Sequence, residues 1–238
     1  MLGMANHPFR LDRRMVLLGG AAVATAALTR SASAISHLGS PVPEAGGSRL
    51  APPPASTPPL PAAPRITAPG VHPALLRGAL DALAIHAARI PHRDRIAIVD
   101  FSAPSSERRL HFLDVASGAT SNLLVTHGSG SDPRHTGFLQ RFSNDFGSNA
   151  SSEGAFVTDA YYVGKHGRSQ RLIGLDPTNC NALDRAIVVH GAWYANADMI
   201  RTHGKLGRSQ GCFAVGEQEL DTMFGYLGEG RLIYAAKV

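Results

Sequence analysis

A chain of 238 residues, 44% hydrophobic and 17% charged, can bury a core, which excludes wholesale disorder. Twenty-five glycines, sixteen prolines and only 6% aromatics favour turn-rich β structure over a helical bundle, and two cysteines exclude both a disulfide-stapled scaffold and a cysteine-rich zinc module. The formal charge of +5 and pI near 9.6 point, at face value, to nucleic acid or an anionic membrane as partner.

Residues 1–34 read as a cleavable export signal. Arg13-Arg14 opens it, an apolar run from Met15 to Leu28 follows, and Ser31-Ala32-Ser33-Ala34 supplies the small-x-small exit. The run is too short to span a bilayer comfortably. The arginine pair ahead of Leu17-Leu18 resembles a twin-arginine signal, with an ordinary Sec signal as the competing reading. Either route places the mature chain in the periplasm or outside the cell. The leader holds Arg10, Arg13, Arg14 and Arg30 against Asp12, so its removal takes away +3 and brings +5 to +2. The nucleic-acid reading loses its support, and no aromatic-basic cluster replaces it.

Residues 35–70 form a tether. Ten of the sixteen prolines fall here, among Ala, Ser and Gly, and such a segment buries too little apolar surface to offset its ordering entropy.

Residues 71–238 form the one folded domain, a monomer with no membrane span. A helix starts at Pro73, repeats Leu75, Leu76, Ala79, Leu80 and Leu83 at three and four, and stops by Pro91. Strands are expected at Arg95–Phe101, Arg109–Val115, Asn122–Thr126, Ala155–Val163, Arg171–Leu175, Ala186–His190 and Arg231–Lys237. A second helix is expected from Glu217 to Leu227. Seven short strands and few helices make a mainly β domain, a sandwich or barrel with helices packed on it.

Cys212 is the most informative residue. A core cysteine needs no glycine-rich turn in front of it, but a nucleophile approached closely by substrate does, and Gly207-Arg208-Ser209-Gln210-Gly211 precedes it. The Gly211 and Cys212 amides can face a developing oxyanion. The nearby helix start, Lys205 and Arg208 should favour thiolate. His190 is the best base of eleven histidines: it ends the apolar strand Ala186–Val189 and precedes Gly191. No acid stands out to orient it, which leaves a backbone carbonyl. Four His-Gly pairs suggest a metal, but no His-x-x-x-His or His-x-His spacing supports one. Cys180 could pair with Cys212 outside the cytoplasm, or stand free.

Ala186 to Tyr194 and Gly204 to Phe213 together resemble the L,D-transpeptidase catalytic domain, most closely its murein branch. Val125–Gly128, Phe142–Asn144, Gly147-Ser148, Ser151–Gly154, Gly164–Gly167 and Arg171–Leu175 fall in the order that branch shows, so the resemblance covers most of Ile96–Val238 and leaves the first helix outside. It implies a β-sandwich of mixed sheets with packed helices, and no cofactor. It implies that Cys212 is the acylated nucleophile and His190 its base. The Gly191 carbonyl orients the imidazole, Gly211 and Cys212 give oxyanion amides, and Ser209 supports the turn. The substrate implied is the peptidoglycan stem peptide, cross-linked through an acyl-enzyme. Gln210 stands where the wider family has His, and Phe213 where the branch often has Pro; Cys180 is a further departure. Water as acceptor would make the same residues an L,D-carboxypeptidase, and loss of reactivity a wall-binding module. A sortase motif is absent, and His190 precedes Cys212, opposite to papain-like amidases.

Overall fold

The computed structural model describes residues 66–238. The expected export signal, and the expected tether up to residue 65, lie outside the described residues. Among those described, no helix is long and apolar enough to cross a membrane.

Eight strands form one hydrogen-bonded sheet in the order β3-β2-β1-β8-β4-β5-β6-β7. They are β1 (Arg95–Asp100), β2 (Leu110–Asp114), β3 (Thr120–Leu123), β4 (Gly154–Gly164), β5 (Gly167–Gly174), β6 (Val188–Gly191), β7 (Phe213–Val215) and β8 (Leu232–Ala236). The β1–β8 and β6–β7 pairs are parallel and the rest antiparallel, so the sheet is mixed. Successive side chains of a strand point to opposite faces, and here both faces are buried. Ala97 and Val99 of β1 enter one core with Phe112, Phe156, Val189, Phe213 and Ile233, drawn from strands along the whole sheet. Ile96 and Ile98 enter a second core on the other face.

Each core is closed by a helix. Helix α1 (Pro73–Ile85) begins where the His72 ring accepts from the Ala74 amide at 3.3 Å, and Pro73 supplies the fixed φ of a first turn. Its Leu75, Leu76, Ala79, Ala82 and Leu83 fill the second core. The helix stops at Ile85, short of Pro91: His86 leaves helical geometry and its Nε2 meets Asp176 Oδ1 at 2.7 Å. A 3-10 turn, Ala87–Arg89, carries the chain on. Helix α3 (Leu220–Leu227) buries Leu220, Met223, Phe224 and Leu227 in the first core, and a separate 3-10 turn, Glu217–Glu219, precedes it. Helix α2 (Ala197–His203) has no buried residue and β7 has only three residues, so neither left a pattern in the sequence. Ala68 is already buried, and Thr120 Oγ1 donates to the Pro69 carbonyl at 2.9 Å, so packing begins ahead of Val71.

Candidate active site

Strand β6 places His190 in the sheet between β5 and β7, opposite Ser169 on one side and Ala214 on the other. The side chain is 1% exposed. Its Nδ1–H donates to the Gly191 carbonyl at 3.0 Å. A carbonyl can only accept, so the neutral ring holds its proton on Nδ1 and keeps a lone pair on Nε2. The ring of His166 stacks on it, centroids 4.3 Å apart and planes 18° from parallel. Burial first, then His166 and Lys165, push the His190 pKa below its ordinary value, against the Gly191 carbonyl, which raises it.

Cys212 closes a tight turn immediately before β7. Ser209 Oγ accepts from the Gly211 amide at 3.1 Å and donates to the Cys212 carbonyl at 2.7 Å, bracing the turn from inside. Ser209 is itself anchored: its amide donates to the His127 carbonyl at 3.0 Å and its carbonyl accepts from Ser129 at 2.8 Å. Gly211 has φ +111°, and a Cβ there would stand 2.6 Å from the Ala150 carbonyl oxygen and 2.7 Å from Ile187 Cδ1. Only glycine meets both demands. The Gly211 N–H is committed to Ser209, which leaves of the two expected oxyanion amides that of Cys212, lying beside its own sulfur.

Burial works against the expected thiolate. Cys212 is buried, and burial pushes its thiol pKa up, against the lowering effects of the Val188 amide, Lys165 and Arg185. Arg208 lines the same cleft as Lys165 and Arg185, and Lys205 does not. Arg208 Nη1 donates to the carbonyls of Asp132 and Pro133. The thiol donates to the Ala186 carbonyl at 3.5 Å. Thiol and imidazole are therefore both held toward their neutral forms.

A cleft of about 600 Å³ opens over these groups. Cys212, His190 and Ser209 line it together, with Gly191 and Gly211 just behind them. Lys165 and His166 come from the β4–β5 turn, Arg185 from the segment before β6, and Tyr194 from the turn after it. These four were not read from the sequence as site residues. Tyr194 carried a signal, closing the His-Gly-Ala-Trp-Tyr run that starts at His190. Burial, then Cys212, push its hydroxyl pKa up to about 12. Arg185 ties the Phe142–Ala150 loop to the site. Its guanidinium donates to Ser143 O, Ser152 Oγ, Ser148 Oγ and Ala150 O at 2.6–3.1 Å. The Ala150 carbonyl then backs Gly211.

The remaining candidates lie elsewhere. His127 is buried between Arg109, whose Nη2 donates to its Nδ1 at 2.8 Å, and Asp132, which accepts from its Nε2 at 3.4 Å. Cys180 is exposed and free, with its sulfur 3.2 Å from Asn144 Nδ2. Among the described residues, no three His, Cys, Asp or Glu side chains converge as metal ligands do.

A family model described as the L,D-transpeptidase catalytic domain matches residues 67–236. The chain belongs to this family. Helix α1 falls inside the match, although the motifs that carry the resemblance begin only after it. No curated protein matches the chain. Among solved structures it is similar to an L,D-transpeptidase from Xylanimonas cellulosilytica, at 14% identity, over 60% of this chain and 61% of that one, with TM-score 0.37. An L,D-transpeptidase from Mycobacterium smegmatis matches at 10% identity over 60% and 58%, with TM-score 0.38. The helical cell shape determining protein Pgp2 from Campylobacter jejuni matches at 9% over 60% and 47%, with TM-score 0.40. The chain thus spans less than two thirds of the length of these L,D-transpeptidase structures and of Pgp2.

Proposed function

We propose that this chain is an exported cysteine L,D-transpeptidase that acts on peptidoglycan stem peptides as a monomer in the cell-wall compartment. Residues 1–34 would direct export, 35–70 would tether, and the remainder would catalyse. The observation that carries the reading is one cleft lined by both a buried thiol and an imidazole whose Nδ1–H is tied to a carbonyl.

In this reading Nε2 of His190 takes the Cys212 proton as sulfur attacks the donor carbonyl. The C–S bond forms, the C–N bond breaks, and His190 returns the proton to the departing amine. An acceptor amine then attacks the thioester and loses its proton to His190. The C–S bond breaks, and that proton restores the thiol. The Cys212 N–H faces the developing oxyanion, while Ser209 and Gly211 hold the turn that aims it.

Incubation with disaccharide tetrapeptides, read by mass spectrometry, tests this. Cross-linked dimers support amine transfer. Tripeptides alone make it an L,D-carboxypeptidase. Neither product, with Cys212 inert to alkylation, makes it a non-catalytic wall-binding module.

A further inference from the structure

The β4–β5 hairpin closes over the site through a two-residue turn, Lys165-His166, between the paired Gly164 and Gly167. Gly167 has φ +73°, the left-handed residue that lets such a turn rejoin its strand. The turn delivers the His166 ring flat onto His190. His166 itself is exposed and lines the cleft.

We propose that His166 is a positioning residue for His190: its ring covers one imidazole face and fixes the ring plane, so that Nδ1 stays on the Gly191 carbonyl and Nε2 stays toward the cleft. This rests on the reading of His190 as the base. A backbone carbonyl holds one edge of an imidazole but leaves the ring free to swing about that bond. A second flat ring at 4.3 Å removes that freedom. It also has an electrical consequence. Two imidazolium rings so close repel each other, so protonating either one opposes protonating the other. Lys165 adds to the same effect, and burial pushes the His166 pKa down as well.

Other groups facing His190 do not reverse this. Arg185 and Cys212 lie on the cleft side with Tyr162, Tyr194 and Arg208. Asp184 is the one carboxylate among the cleft-lining residues. Behind Gly191, Glu217 accepts from Asn196 Nδ2 at 2.9 Å, and Asp221 is paired with Arg168 at 2.7 Å.

The test is titration of the His190 ring by NMR in the full chain, assigned by loss of its signal in His190→Gln. His166→Ala is expected to raise its midpoint and move the acid limb of kcat/KM in the same direction. Near neutral pH kcat should fall about tenfold with KM little changed. His166→Phe keeps a flat, burying ring without the charge, and should recover most of kcat with a midpoint between those of wild type and His166→Ala. A His190 midpoint that stays put in folded His166→Ala overturns the proposal. So does a His166→Phe that fares no better than Ala. The NMR midpoint needs no substrate, so a chain without transpeptidase activity would overturn the proposed function and still leave this reading to be decided.

Discussion

At the residue scale, Cys212 and His190 carry distinct expectations. The purified chain should gain the mass of one carbapenem, which presents a strained amide to a nucleophile, and Cys212→Ala should gain none. An adduct surviving that substitution places the nucleophile elsewhere. His190→Ala should slow acylation about 100-fold or more, the scale of a lost general base, whereas exposed His203→Ala should leave it unchanged. The resting protonation state makes a further prediction. With the thiol pushed up and the imidazole pushed down, the alkylation rate of Cys212 should climb with pH to a midpoint above that of an unperturbed thiol. A plateau already reached at pH 6 would instead require a preformed thiolate–imidazolium pair. The sequence made Cys212 and His190 legible because both sit beside glycines that a core residue would not need. It left His166 and Arg185 illegible because their roles come from a ring and a loop that approach across the sheet. Charge near the sulfur was only partly legible: Arg208 is close in sequence and lines the cleft, whereas Lys165 and Arg185 reach it from the β4–β5 turn and the segment before β6.

At the element scale, the turn before β7 is the demanding part. Gly211→Ala must fit a side chain at φ +111° and within 2.6 Å of a carbonyl oxygen, so it should lose on the order of 2 kcal/mol or more of stability and nearly all acylation. Ser209→Ala removes two hydrogen bonds but no backbone constraint. It should cost about 1–2 kcal/mol and keep the fold, with acylation slowed but measurable. Urea melts and adduct mass together check both; a Gly211→Ala protein as stable and reactive as wild type would remove the close-packing argument. Element legibility followed burial. Helix α3 announced itself through Leu220, Met223, Phe224 and Leu227, all turned inward. Strand β5 was expected only from Arg171, because its first half runs Gly167-Arg168-Ser169-Gln170 and buries polar side chains that give no alternating signal. That missed half is what pairs Ser169 with His190 and builds the hairpin arm over the cleft.

At the scale of the whole molecule, the cleft rests on a buried polar network one layer down. Arg109 is fully enclosed and donates to Ala103 O, Val125 O and His127. Burial pushes its pKa down to about 9, which still leaves it charged at neutral pH. Burial, then Arg109, push the His127 pKa down to about 4 from 6.5. Between those values the unfolded chain binds a proton that the folded chain refuses, so stability is fully present above about pH 6.5 and is lost as pH falls toward 4. For this residue the loss is on the order of 2–3 kcal/mol. Urea midpoints at pH 7 and pH 4.5 should differ accordingly, and His127→Gln should narrow the gap; an unchanged gap would assign the acid sensitivity to other groups. The mainly β architecture with a helix on each core was readable from strand spacing and the α1 periodicity. The strand order was not, because nothing local to Leu232–Ala236 says that β8 inserts between β1 and β4. That insertion bears on timing. Of the eight strands, β8 leaves the ribosome last, yet β1 and β4 meet only through it. Until it arrives, the N-terminal meander and the half bearing the cleft have no shared edge, so the newborn chain cannot set its fold vectorially. The newborn chain therefore passes through an interval in which its two half-sheets each expose an unpaired edge, and closing the molecule waits on its last strand.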